Sequence, residues 1–433
     1  MAEQEGTLLD AALRNHLDGD LAAAETLYRK IILADPGAAQ ARQYLGFLLQ
    51  QSDRLPEAFE QLTAAIALDD SHAEWHFNLG IVLARQQRNT PAIEAFSRAI
   101  AIDPSRYFYW TNLGAAYESN RDFVRAEQCY RAAANIDPNC PDAFYLLSAI
   151  CLKLERFQEA RHFNYSGIVV EAEGRQPMVA RGQACYELGR IDDAVALMER
   201  WLQAEPGNPV ATHLLAAYRG QHAPEQCSSQ YVEQTFDAFA HSFENTLGRL
   251  EYCGPELVAD VLRNLAPAAA SLAILDLGCG TGLVGEAASP YARLLAGVDL
   301  SRAMLDLAAA KQLYHQLHKS DIADFLSASP DQYDVITCMD TLIYLGRLEQ
   351  IIELICQALK PGGMLLLSTE KLSGAHEQDY QLNPSGRYSH HPDYLLAVLG
   401  KAGFKIENVR DVAIRKESGC PIAGQFVCAS SMQ

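Results

Sequence analysis

A small residue recurs six times at intervals of 34 positions: Ala12, Gly46, Gly80, Gly114, Ser148 and Gly182. A second series keeps the same step, Ala24, Ala58, Ala92, Ala126, Ala160 and Ala194. Four residues after each stand Tyr28, Leu62, Phe96, Tyr130, Asn164 and Met198. Asp-Pro or Glu-Pro closes four of the copies, as Asp35-Pro36, Asp103-Pro104, Asp137-Pro138 and Glu205-Pro206. Proline there stops a helix. Such a period forbids one central core. Each copy is a helix pair that cannot bury its apolar face alone, and stacked pairs share a continuous core. Small residues let paired helices approach, and large ones fill the space between neighbours. The spacing predicts an all-α superhelix over residues 1–222, six pairs and a capping helix from Val210.

The pattern resembles the tetratricopeptide repeat (TPR) over about Gly6 to Tyr218. The resemblance implies a concave groove that holds a peptide or a protein partner. By phase the groove takes Phe47, Phe77, Asn78, Phe108, Asn112, Tyr145 and Tyr186, although these aromatics equally suit the core between repeats. The Lys-rich pattern of repeats that clamp chaperone tails is absent. Two copies depart from the pattern. The second has Asp70 where proline is expected. The fifth has Asn164 and Gly167 at positions usually large or small and apolar, and Gly167 and Gly174 weaken its second helix, which predicts irregular packing or a bend near 161–178.

Gly220 to Ser229 is a polar break between modules. We expect a boundary near 225 and a second domain over 223–433. Its centre is Ala273 to Gly285. An apolar run, the pattern of a buried parallel strand, breaks into glycines at alternate positions, Gly278, Gly280 and Gly282, and a helical pattern follows. A glycine loop between strand and helix, at the carboxyl end of a parallel sheet, is where doubly wound folds bind nucleotide-like ligands. A dinucleotide loop spaces its last two glycines three apart; here they are two apart, and Asp276 precedes them. Asp299 ends a second apolar run about 20 residues on, placed to accept both ribose hydroxyls or to cap the helix that follows. Asp321 ends a third, with Asp324 nearby and N-capping as its other role.

Asp276, the three glycines and these acids resemble the class I S-adenosylmethionine (SAM) methyltransferases. The resemblance implies a Rossmann-like α/β domain, a seven-stranded and mostly parallel sheet, and SAM as cofactor. It assigns Asp276, Gly278, Cys279, Gly280 and Gly282 to the loop around the amino-acid moiety and sulfonium. Asp299 falls to the ribose, Met304 to an adenine wall, Asp321 to the adenine amino group, Met339 to the sulfonium side, and Leu300 and Ile322 to the cofactor pocket beside the two acids. The stretch from Tyr231 to Leu257 resembles the leading helices of predicted bacterial methyltransferases that carry TPR arrays. Such helices cover the pocket as a lid, which makes Phe243 and Tyr252 lid contacts and leaves Phe239 as core.

Asp340 and Tyr344 follow the fourth strand, where an accepting atom must arrive. The Asn/Asp-Pro-Pro-Tyr motif of enzymes that methylate exocyclic amines and amides is absent there. In Asn383 to His391, Arg387 can pair a carboxylate and Tyr388 or His390 can take a proton. The alternative is a helix entrance at His391-Pro392-Asp393. No further ligands support a metal at the two histidines.

Net charge is −19, shared by both halves, with no Lys/Arg cluster, which argues against nucleic acid. Eleven scattered cysteines without Cys-x-x-Cys suit a reducing cytoplasm rather than disulfides or zinc. The acidic N-terminus shows no secretory signal, and no apolar run approaches ~20 residues, so no membrane span is expected. The expected protein is a cytoplasmic SAM-dependent methyltransferase whose repeats recruit a peptide or protein. Two alternatives stand beside it: a small-molecule O-methyltransferase acting on a carboxylate or hydroxyl, and a non-catalytic scaffold. The sequence sets no oligomeric state.

Overall fold

A computed structural model describes residues 2–220, 224–265, 270–328, 333–372, 378–417 and 420–432, with the side chains of residues 2–7 outside the described set. Residues 221–223 of the expected linker lie outside it too. The chain forms two compact units, Met1–Arg175 and Gln176–Gln433. Among the described residues no helix is long and apolar enough to cross a membrane.

The first unit is five helix pairs: α1 (Ala2–Leu17) with α2 (Leu21–Ala34), α3 (Ala39–Gln51) with α4 (Leu55–Leu68), α5 (Ala73–Arg85) with α6 (Asn89–Ile102), α7 (Tyr107–Ser119) with α8 (Phe123–Ile136), and α9 (Pro141–Lys153) with α10 (Phe157–Val170). The small–large alternation makes these pairs. A Cβ on Gly80 would sit 2.6 Å from the Phe96 ring, and one on Gly114 2.5 Å from Tyr130. Each turn between paired helices needs one left-handed residue, and it keeps the 34-residue step: Gly19, Asp53, Gln87, Arg121 and Glu155 all have positive φ. An ion network recurs three repeats apart. Arg54 joins Glu25 and Glu57, and Arg156 joins Glu127 and Glu159 in the same way. Of the two copies between, the first has Arg88 at that phase, lying over the Phe59 ring instead, and the second has Asp122 there.

Helix α10 runs unbroken through Gly167, contrary to the weakening expected there, because the Tyr145 ring occupies the space a side chain would take, 2.6 Å from a built Cβ. The irregularity of the fifth copy lies after it, and the division between compact units falls at Arg175. Several expected groove residues are engaged with their own array. Phe77 packs against Phe96, Phe108 and Tyr109, and Asn112 donates to the Phe108 carbonyl.

The second unit begins with three more helices of the same phase, α11 (Met178–Glu187), α12 (Ile191–Ala204) and α13 (Pro209–Arg219). It continues through α14 (Ser229–Phe239), α15 (Phe243–Arg249) and α16 (Gly254–Leu265). The α/β part then runs β1 (Leu272–Leu277), α17 (Leu283–Ala288), β2 (Ala292–Asp299), α18 (Arg302–Ala310), β3 (Gln316–Lys319), α19 (Ile322–Ala328), β4 (Tyr333–Cys338), α20 (Glu349–Ala358) and β5 (Leu359–Lys371). It ends with β6 (Tyr380–Leu382), β7 (Tyr388–His390), α21 (Pro392–Lys401), β8 (Phe404–Glu417) and β9 (Cys420–Ser431).

The order β3-β2-β1-β4-β5 is parallel, and β9 pairs antiparallel with both β5 and β8. Seven strands match those expected. Of the other two, β6 precedes the loop expected over Asn383 to His391 and β7 lies within it: Tyr388–His390 pairs with the end of β5 at Glu370 and Lys371. Both faces of the sheet are buried, as continuous apolar runs require. Leu275, Ile336 and Leu367 face one core and Ile274, Val335 and Leu366 the other. Reversal of strand order about β1 opens a crevice at the strands' carboxyl ends.

Candidate functional site

One cavity of about 290 Å³ lies over that crevice, inside the second unit. Its first wall is the glycine loop. Gly278 has φ +70°, and a Cβ there would lie 2.2 Å from Thr341 Oγ1, so this position takes only glycine. Asp299 accepts the Gly280 N–H at 2.9 Å and the Ser301 N–H at 2.8 Å. Burial pushes its carboxyl up, and these donors oppose the rise. Asp321 caps α19 through the Ala323 N–H at 2.8 Å and takes Ser229 Oγ at 3.4 Å. Both acids line the cavity together with Gly278, Cys279, Gly280, Leu300, Ile322 and Met339.

Asp276 and Gly282 do not line it. Asp276 is buried beneath the loop, accepting Tyr314 Oη at 2.6 Å and Thr337 Oγ1 at 2.8 Å. Burial lifts its pKa to about 6. Tyr314 lies against Gly282, Gly285 and Gly297, where side chains would exclude it. Met304 is also absent from the lining. Ser301 caps α18, which turns Met304, Leu305 and Ala308 inward to the core.

Helices α14 and α15 roof the cavity. Phe236, Phe239 and Phe243 all line it, so Phe239 is not the core residue its spacing implied. The Phe243 ring comes within 3.6 Å of the Cβ position of Gly280. Polar ties hold the roof to the sheet: Ser301 Oγ donates to Asp237 at 2.5 Å, Lys319 pairs with Glu233, and Lys311 joins Glu244 to Glu286.

The opposite wall is an ion cluster. Asp340, a non-glycine residue at φ +54°, takes Arg415 Nη1 on both oxygens at 2.7 and 2.9 Å. Arg415 also pairs with Glu370 and Glu417, and Arg387 pairs with the same two glutamates. Three carboxylates thus share two guanidiniums. Burial pushes Asp340 up and Arg415 pulls it down, whereas Glu417, between both arginines, ends below its usual range. Asp340, Tyr344, Arg387, Arg415, Glu417 and Tyr252 reach the cavity. His390 does not: its Nε2 is held by the Leu345 and Gly346 carbonyls, and burial lowers its pKa to about 4. Tyr388 donates to the Pro224 carbonyl. Arg415 and Glu417 were not identified from sequence. Their one signal is charge at alternate positions of a strand, which places both on one face but also describes a solvated edge.

The family described as "Methyltransferase domain" matches residues 250–409. Two tetratricopeptide-repeat families match 45–107 with 170–209, and 107–140. A "Ubiquinone biosynthesis O-methyltransferase" of Coxiella burnetii (strain Dugway 5J108-111) is 27% identical over 155 residues, 32% of this chain and 66% of that protein. One of the same name from Pseudomonas syringae pv. syringae (strain B728a) is 33% identical over 103 residues, 22% and 43% of the two chains. The chain thus spans between about two fifths and two thirds of these relatives' lengths. Among solved structures, MamA covers 37% of this chain and 93% of its own at 23% identity and a TM-score of 0.36. An S-adenosylmethionine dependent methyltransferase from Mesorhizobium loti covers 40% and 96% at 24% identity and a TM-score of 0.33.

Proposed function

We propose that this chain, tetratricopeptide repeats followed by a class I methyltransferase domain, methylates a hydroxyl oxygen on a largely apolar, uncharged acceptor. The methyltransferase match implies SAM as the cofactor. The residues fit it. Gly278 and Gly280 leave a bare backbone at the strand end, and the carboxylates of Asp299 and Asp321 keep lone pairs for a ribose and an adenine amino group. Phe243 covers the loop. Bound there, SAM supplies an electrophilic methyl group.

The observation that carries the acceptor class is the ion cluster. Both guanidiniums are paired to internal carboxylates, and negative charge is in excess, three carboxylates against two guanidiniums. A carboxylate acceptor would bring a fourth negative charge to a buried cluster that holds only two positive ones. A hydroxyl instead can give its proton to Asp340, whose burial favours uptake. Phe236, Phe239 and Tyr344 exclude water from the acceptor. Transfer to oxygen also accords with the O-methyltransferase names of the relatives. We assign recruitment of a protein partner to the repeats, within functional limits of 1–222 and 223–433. The tetratricopeptide matches support that assignment, since such repeats generally mediate protein interactions. Eleven free cysteines suit a cytoplasmic protein.

Titration calorimetry with SAM is the first test. Asp299→Ala should weaken binding by about 100-fold, the loss of a charge-assisted pair of hydrogen bonds. Radiolabelled methyl transfer to matched hydroxyl, carboxylate and amine probes is the second. Label on hydroxyls alone, with kcat reduced about 100-fold in Asp340→Asn and SAM affinity kept, is the expected result. Label on carboxylates would overturn the acceptor class. No SAM binding in the parent chain would leave the non-catalytic scaffold.

A further inference from the structure

Helix α13 holds the repeat phase, yet its His213 is buried against the methyltransferase part of the same compact unit. Its Nε2 lies 2.9 Å from the Gly386 carbonyl oxygen. Cys227 Sγ lies 3.4 Å from the same nitrogen and 3.7 Å from the same oxygen. The Tyr231 ring packs on the imidazole with centroids 4.2 Å apart. Gly386 sits at φ +81°, and a Cβ on it would meet Tyr231 Oη at 2.4 Å. Gly386 thus leaves room for the Tyr231 ring that packs on the histidine.

Two chain segments leave the slot around His213, one carrying an acceptor-side residue and the other hydrogen-bonded to one. Arg387 follows Gly386 directly. The Cys227 N–H donates to the Tyr344 carbonyl at 2.9 Å. Both Arg387 and Tyr344 line the cavity. His213 itself does not.

We propose that His213 is a positioning residue. By donating to the Gly386 carbonyl it sets Arg387, and with it the ion cluster that receives the acceptor. The role rests on the acceptor-site reading above, and its first readout is independent of it. The imidazole must carry its proton on Nε2 to donate, and burial in this slot favours that neutral ring. A glutamine side-chain amide can donate to the same oxygen.

The test compares the full chain with His213→Ala and His213→Gln. Hydrogen exchange read by mass spectrometry should quicken about tenfold over 383–388 in His213→Ala, the effect of one lost buried hydrogen bond. His213→Gln should restore the parent rate. SAM affinity by calorimetry and exchange over 276–284 should stay at parent values in both. With a hydroxyl probe that the parent methylates, His213→Ala should raise KM about tenfold at unchanged kcat, and glutamine should reverse it. Unchanged exchange over 383–388 in a folded His213→Ala overturns the proposal. So does equal behaviour of the alanine and glutamine variants, or loss of SAM binding along with faster exchange throughout the unit. If the alanine variant does not fold, His213→Asn, whose amide is too short to reach, takes its place. If no probe is methylated, the acceptor reading fails while the exchange result still decides the role of His213.

Discussion

The two walls of the cavity are built by opposite means. The wall we assign to the cofactor is local: Gly278 to Gly282 form one loop, and each acid stands at the end of a strand next in chain order. The wall we assign to the acceptor is assembled from four separated places, Asp340 after β4, Glu370 on β5, Arg387 before β7, and Arg415 with Glu417 on β8. The first is held by backbone geometry, the second by charge. Local construction tolerates change elsewhere in the chain. A wall of mutually neutralising charges stands or falls together.

The largest effect should therefore come from Arg415→Met. It strips Asp340, Glu370 and Glu417 of the one guanidinium they all share and leaves Arg387 alone against three carboxylates. Breaking a buried pair from one side costs about 3–5 kcal/mol. We expect a loss of that size in the unfolding transition of the second unit, followed by denaturant titration. A cost below about 1 kcal/mol would mean the cluster is solvated and the contrast between the walls is false.

That contrast also explains what could be read in advance. The 34-residue step marks the helix pairs because their contacts are near in sequence, and glycine spacing marks the loop over the crevice for the same reason. Asp299 and Asp321 reach the cavity where strand ends placed them. Met304 does not, because capping by Ser301 fixes which side of α18 turns inward, and a one-turn offset from an acid cannot specify that. His390 was misplaced because Tyr388–His390 became a strand on the end of β5, a pairing set by tertiary structure. Arg387 was recognised as a cation, but its partners Glu370 and Glu417 are 17 and 30 residues away and meet it only through the sheet.

Asp276→Asn asks whether the cofactor wall carries an electrostatic cost of its own. Burial raises this carboxyl to about 6, above the range of an unfolded chain. Between about pH 4 and 6 the native state then binds more protons than the unfolded one. Stability from this site is greatest at low pH and falls as pH rises through that window, with the full penalty above it. Asparagine can still accept from Tyr314, and Thr337 can donate to the Leu275 carbonyl instead, 3.4 Å away. The variant should match the parent near pH 4 and exceed it by about 2–3 kcal/mol at pH 8. Parallel stability curves across that range would show that Asp276 ionises without cost.

The smallest effect probes whether the walls communicate through the roof. Phe243 faces the glycine loop, lies 5.6 Å from Phe239 and 6.1 Å from Phe236, and Phe236 meets Tyr344 edge-on at 5.4 Å. An edge-to-face ring contact contributes about 0.5–1.5 kcal/mol beyond its buried area. Phe243→Leu keeps most of the apolar bulk and loses the ring contacts, so SAM affinity should fall about three- to tenfold by calorimetry. Phe236→Leu should leave that affinity nearly unchanged and raise KM for the hydroxyl probe. If the walls are independent, the effects on SAM add in the double variant. A coupling above about 0.5 kcal/mol would mean the aromatic row carries strain from one wall to the other.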